Sequence, residues 1–149
     1  MFYLAGPCDT EHRTFMTQIA KYLREKGAEI YCPWELKIEN AWDYSQEDWA
    51  RLVFDKDVAA INACEAVIMI SEGRKSTAGV NWENGYAYAL GKPVHIIQIT
   101  EEPTSLMTYC GCTSFINIPK GQGNLTSALR WILEHPTEEN HNRCRTVLT

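Results

Sequence analysis

Two acidic residues fall where the hydrophobic pattern calls for apolar ones. Across 46–64, Trp49, Leu52, Val53, Ala60, Ile61 and Cys64 make one stripe, and Asp57 lies four residues after Val53 and three before Ala60. The helical period puts its carboxylate on the inward face. Glu83 repeats the anomaly, with Val80, Ala87 and Leu90 three, four and seven residues away. Burying an unpaired ionised carboxylate is costly, so two such positions mark a site or an ion pair. The plainer account of Asp57 is pairing with Lys56, Arg51 or Arg74, or with backbone N–H groups. Glu83 stands in the first turns of a predicted helix, where the dipole is expected to keep it ionised. A carboxylate held ionised beside a second carboxyl group can displace a leaving group from an anomeric carbon through a covalent glycosyl-enzyme.

Other residue types join this pair. Tyr3 precedes a turn that should face Glu83, where its hydroxyl can orient the nucleophile; a packed core aromatic is the alternative. Trp34, Trp42, Tyr44 and Trp49 concentrate aromatic surface on which a planar base can stack, although core packing accounts for part of it. His12 and Arg13 can reach an anion or simply occupy an exposed helix face. Cys110, Cys112, His141 and Cys144 fit no familiar zinc spacing, and neither a metal nor another cofactor is expected. Gly6 lacks the partner glycines of a dinucleotide fingerprint. Gly91-Lys92-Pro93 follows a helix end, where it cannot cradle phosphate.

The elements that must position these groups alternate along the chain. Phe2–Ala5 reads as a buried strand closed by Gly6-Pro7, and about 10–26 as a helix stopped by Gly27. A strand at 28–32 ends at Pro33, followed by an aperiodic loop to Tyr44. Ser45 and Asp48 form a capping box for the helix at 46–64. Strands are expected at 66–71, 93–99 and 115–118, and helices at 79–90 and from Leu125 to Leu133. Strand–helix alternation predicts a single-domain, flavodoxin/Rossmann-like three-layer α/β fold with a five-stranded parallel sheet in the order 2-1-3-4-5. The crevice then opens between the first and third strands, with loops starting at Gly6 and Glu72 forming the site.

The bulk properties agree. With 149 residues, 45% of them hydrophobic and 22% charged, the chain suits one soluble domain. No apolar run approaches the roughly 18 residues that cross a membrane. A net charge of −5 offers no general attraction for nucleic acid, so small-molecule partners are expected. The N-terminus has no basic leader, and the six cysteines sit at irregular spacings. Both features suggest reduced thiols in the cytoplasm. The domain is set at 1–135, with a polar tail at 136–149 expected to be mobile.

Tyr3-Leu4-Ala5-Gly6-Pro7, Phe54-Asp55-Lys56-Asp57 and above all Gly79-Val80-Asn81-Trp82-Glu83-Asn84-Gly85-Tyr86-Ala87, followed by Leu90-Gly91-Lys92-Pro93-Val94, resemble the nucleoside 2-deoxyribosyltransferase family. The resemblance implies that Glu83 is the nucleophile, Asp57 the aspartate beside it and Tyr3 the residue that orients the glutamate. It implies a substrate pocket with contributions from Gly6, Arg13, Trp34, Thr77 and Gly79. Ser105-Leu106-Met107 is similar to the segment that crosses into a neighbouring subunit's pocket, so a homodimer or higher homo-oligomer with a shared site is expected. The implied partners are a deoxynucleoside or deoxynucleotide and a nucleobase. Base-exchanging members typically carry an aspartate where this chain has Thr77 and an asparagine where it has Ser105. Hydroxyl groups there are similar to the related deoxynucleoside 5′-monophosphate N-glycosidases. Deoxyribosyl transfer, monophosphate hydrolysis and a non-catalytic nucleotide-binding module are thus the readings to separate.

Overall fold

The four residues of β1 (Phe2–Ala5) are all buried, because the strand pairs on both edges and is covered on both faces. Around it the computed structural model, which describes residues 1–118 and 124–141, places α1 (Arg13–Glu25), β2 (Ile30–Tyr31), α2 (Gln46–Ala63) and β3 (Ala66–Ser71). The chain continues through α3 (Ala78–Ala89), β4 (Val94–Gln98), α4 (Leu106–Cys110), β5 (Ser114–Asn117), α5 (Leu125–Glu134) and β6 (Asn140–His141). Five parallel strands take the expected order 2-1-3-4-5, and β6 extends the sheet beside β5.

Side chains alternate along β1 and feed two cores. Phe2 and Leu4 pack with Met16, Ile19 and Leu23 of α1 and with Leu129 and Ile132 of α5. Tyr3 and Ala5 point the other way, into the layer that holds Ile61 of α2 and Val80 and Ala87 of α3. Tyr3 therefore shares its face of the sheet with the helices that carry both candidate acids.

Several boundaries have local causes. Ser45 caps α2, its hydroxyl oxygen accepting from the Asp48 N–H at 3.1 Å. The stops at Gly27 and Gly91 take φ of +88° and +71°, which glycine adopts without a Cβ penalty. α1 starts later than its hydrophobic period suggests, since Asp9 accepts the His12 N–H at 3.1 Å and holds the preceding residues in a turn. The loop from Trp34 to Tyr44 contains two short helical turns, Pro33–Glu35 and Ala41–Asp43.

The chain after α5 has defined contacts as far as it is described. Buried His95 donates Nε2–H to the Pro136 carbonyl at 2.7 Å, while its Nδ1 meets the Ser114 hydroxyl at 2.7 Å. That tether leads directly into β6, whose Asn140 pairs with Ser114. Residues 140–141 thus pair with β5, and residues 142–149 lie outside the described part. Cys8, Cys32, Cys64 and Cys110 are free thiols, and Cys144 lies outside the described part. Among the described residues, no helix is long and apolar enough to cross a membrane.

Gly6 is fixed by packing at the exit of β1. A Cβ there would stand 2.5 Å from Met16 Cε and 3.3 Å from Ile70 Cβ. Gly6→Ala is expected to lower stability by about 1–3 kcal/mol through overpacking, read as a lower urea midpoint with an unchanged slope.

Candidate active site

The carboxyl ends of β1 and β2 meet α2 and α3 at a cleft. Tyr3 donates its hydroxyl to Glu83 Oε1 at 2.9 Å. Tyr31 donates to Asp57 Oδ1 at 2.8 Å. Both acids line a cleft of about 270 Å³ with Phe54, Val58, Gly79 and Trp82. Neither is fully buried, because the cleft opens one side of each to solvent. Among the described residues no cation pairs with Asp57, so pairing with Lys56, Arg51 or Arg74 is not what places it on this face.

Burial governs the electrostatics. Glu83 is pushed up to about 7, first by desolvation and also by the facing Asp57, against the lowering effect of the Tyr3 hydrogen bond. Asp57 is likewise raised by desolvation, with the Tyr31 hydrogen bond opposing it. The expectation that the helix dipole would keep Glu83 ionised is corrected here. Thr77 is the N-cap of α3, so Glu83 stands in its second turn, while the dipole acts mainly within the first. The two carboxyl groups face the same cleft, and the charge of Asp57 adds to the desolvation that raises Glu83.

A second cleft, of about 440 Å³, adjoins the first through Asp57, which lines both. Its walls include Cys8, Arg13, Trp34, Trp49 and Val53. Arg13 directs Nη2 to the Cys8 carbonyl at 3.2 Å. The buried Trp34 indole N–H has no partner among the described residues. His12 is engaged by Asp9 at 2.8 Å and Glu72 at 3.1 Å, which ties together the loops after β1 and β3 instead of leaving an anion receptor. Trp42 is 99% exposed and outside these two clefts.

The structure distributes the other candidates unevenly. Gly79 lies beside Glu83, and a Cβ on it would meet open space. Thr77 caps α3, its hydroxyl accepting from the Val80 N–H at 3.4 Å. Ser105 and Met107 line a different cleft, against Asn81, Asn84 and Tyr88 on another face of α3. Within one chain they are not brought to Glu83. Leu90, counted in the apolar stripe, is exposed. Tyr31 is the functional candidate that sequence reasoning missed; the available signal was its position at the carboxyl end of a strand next to the switch point.

These contacts place two carboxyl groups, each with a tyrosine donor, in one cleft of a parallel α/β domain. The nucleoside 2-deoxyribosyltransferase family model matches residues 2–135, and the chain belongs to that family. Among solved structures it is similar to a 2-deoxyribosyltransferase from Bacillus psychrosaccharolyticus, with 25% identity, TM-score 0.70, and coverage of 85% of this chain and 94% of the other. It is similar in fold to the CMP N-glycosidase BcmB of Clostridium botulinum, with 20% identity, TM-score 0.58, and coverage of 89% and 98%. A conserved protein of Enterococcus faecalis V583 shares the fold at 18% identity, TM-score 0.57, and coverage of 95% and 89%. A search of curated protein sequences finds no match.

A carboxyl group raised by burial contributes stability in its protonated form and loses it as pH rises. For Glu83 the window runs from its ordinary 4.5 to about 7. Glu83→Gln removes the ionisation, so the variant is expected to gain in thermal midpoint over the parent across that window and to hold the advantage at pH 8. Melting curves from pH 4 to 8 check this; an advantage that shrinks with rising pH contradicts the assigned burial.

Proposed function

We propose that the chain cleaves the N-glycosidic bond of a 2′-deoxyribonucleoside and passes the sugar through Glu83 to another nucleobase or to water. The observation that carries this reading is the pairing of two raised carboxyl groups in one cleft, each with its own tyrosine donor. Ionised Glu83 attacks C1′, the C1′–N bond breaks with its electron pair going to the base, and protonated Asp57 gives its proton to that base. In the second step a base nitrogen or a water oxygen attacks C1′, the bond to Glu83 breaks, and Asp57 takes the proton released. Two inversions give net retention. The missing 2′-hydroxyl lowers the cost of positive charge at C1′, which favours deoxyribosyl substrates.

The residues around the dyad suit a nucleoside. Gly79 leaves room beside the nucleophile, and Trp34 and Trp49 give apolar walls to the adjoining cleft. Met107 is 75% exposed and lies away from Glu83, so on this reading the 105–107 segment serves the pocket of a second copy in a homo-oligomer. A non-catalytic binding module would gain nothing from two carboxyl groups whose charges are penalised by burial.

Monophosphate hydrolysis is favoured by separate observations. Thr77 brings a hydroxyl, not a carboxylate, to the N-terminus of α3, and Arg13 supplies a cation across the adjoining cleft. Both suit a 5′-phosphate.

Glu83→Ala is expected to lower base release by several orders of magnitude with the fold retained. Asp57→Asn should cost about 10²–10⁴-fold on substrates with poor leaving groups and much less on activated ones. Equal losses on both substrate types would remove the acid role. Base release is to be measured from a deoxynucleoside and its 5′-monophosphate, with and without a second base. Acceleration by the acceptor on the free nucleoside supports transfer. Strict need for the monophosphate, lost in Thr77→Asp, assigns the hydrolase.

A further inference from the structure

The two tyrosines of the site are one structural unit. The β1–β2 ladder pairs Tyr3 with Tyr31 in register, and parallel neighbours at one rung share a face of the sheet. Their rings stack with centroids 5.4 Å apart and planes 20° apart. One hydroxyl meets the carboxyl group from α3 and the other meets the carboxyl group from α2. Nothing in the family assignment or in the sequence reading gives Tyr31 a role.

We propose that Tyr31 is a positioning residue for Asp57: by donating to Oδ1 it reserves Oδ2 to carry the proton toward the leaving base. This rests on the N-glycosyl reading above. A carboxyl group turns easily about Cβ–Cγ, and its two oxygens are otherwise equivalent. A donor bound to one oxygen breaks that equivalence and fixes the plane of the group. Stacking on fully buried Tyr3 then holds the donor itself in place, because Tyr3 is locked by its own bond to Glu83. Acid and nucleophile are thereby referenced to one rung of the sheet, although they come from separate helices.

The groups that face Asp57 are Glu83 from α3, Tyr3 from β1, Cys8 from the loop after β1, Arg13 from α1 and Tyr31 itself. The Cys8 thiol is pushed up to about 11, chiefly by burial, and so carries no charge at neutral pH. Arg13 presents a guanidinium group from α1. Removing the Tyr31 hydroxyl leaves all of these in place and takes away the one contact that lowers Asp57. The sign follows: without it Asp57 titrates at higher pH.

Tyr31→Phe keeps the ring and its stacking while deleting the donor. The expected result is a loss in kcat of about 10–100-fold on poor leaving groups, a KM within about twofold of the parent's, and an alkaline limb of the pH–rate profile moved upward. The acid form is then more populated while the rate falls, which separates positioning from acidity and from a merely structural defect. In the Asp57→Asn background the same substitution should cost nothing further. Equal losses in both backgrounds, or an unmoved alkaline limb, would overturn the proposal. A ¹³C NMR titration of Asp57 in the unligated protein, parent against Tyr31→Phe, needs no turnover. A parent without base release refutes the N-glycosyl reading, and an upward shift of the Asp57 midpoint still supports the hold of Tyr31 on that carboxyl. An unshifted midpoint overturns the hold itself, whatever the activity.

Discussion

The hydroxyl of Tyr3 and the carboxyl group of Glu83 make each other's burial tolerable. A buried tyrosine hydroxyl without a partner costs about 1–3 kcal/mol, and a buried carboxylate without a donor costs more. Their meeting at 2.9 Å depends on the side-chain alternation of β1. A slip of one residue would exchange Tyr3 and Ala5 for Phe2 and Leu4 and leave Glu83 facing hydrocarbon. Four rungs shared with β3, from Phe2↔Ala66 to Ala5↔Met69, oppose that slip, and Gly6 locks the exit against Met16 and Ile70. The second carboxyl group follows from the same register, since the pairing of Tyr3 with Tyr31 brings a second hydroxyl to the α2 side.

Charge at the site is decided locally. The chain carries −5 overall, yet exposed charges farther than about 8 Å are largely screened at physiological salt. The cleft presents the carboxyl groups of Glu83 and Asp57, with the guanidinium of Arg13 in the adjoining cleft. Desolvation outweighs the helix dipole at Glu83, and Coulombic repulsion from Asp57 acts in the same direction. The proposed reaction requires one carboxyl group as nucleophile and one as acid, and the two tyrosines give each a separate donor.

Most of the fold was legible because each element carries a local signal. β1 and β3 are uninterrupted apolar runs, and Gly27 and Gly91 mark helix ends that need positive φ. Asp57 and Glu83 stood out because a carboxylate breaks an apolar stripe. What escaped had no local signal. α4 is five residues long, less than two turns, so no period can show. β6 is a pair of residues defined by its partner strand and by the His95–Pro136 tether. Tyr31 sits on a strand of two residues, and its value depends on the register with β1, a non-local fact. The weight given to the dipole at Glu83 failed because a sequence shows helical position but not the extent of desolvation.

Thr77 illustrates where structural necessity stops. Its hydroxyl caps α3 by accepting from the Val80 N–H, and aspartate is at least as good an N-cap. Capping therefore gives no reason for threonine over aspartate at this position. The two residues differ in charge at the N-terminus of the helix that carries Glu83. An aspartate would accept hydrogen bonds from the amino and ring N–H groups of a base and repel a phosphate. A threonine can turn its O–H toward a phosphate oxygen or a sugar hydroxyl. Because the fold is satisfied either way, capping leaves the choice at Thr77 open, and on the proposed reading threonine there suits a ligand with acceptor oxygens near the start of α3.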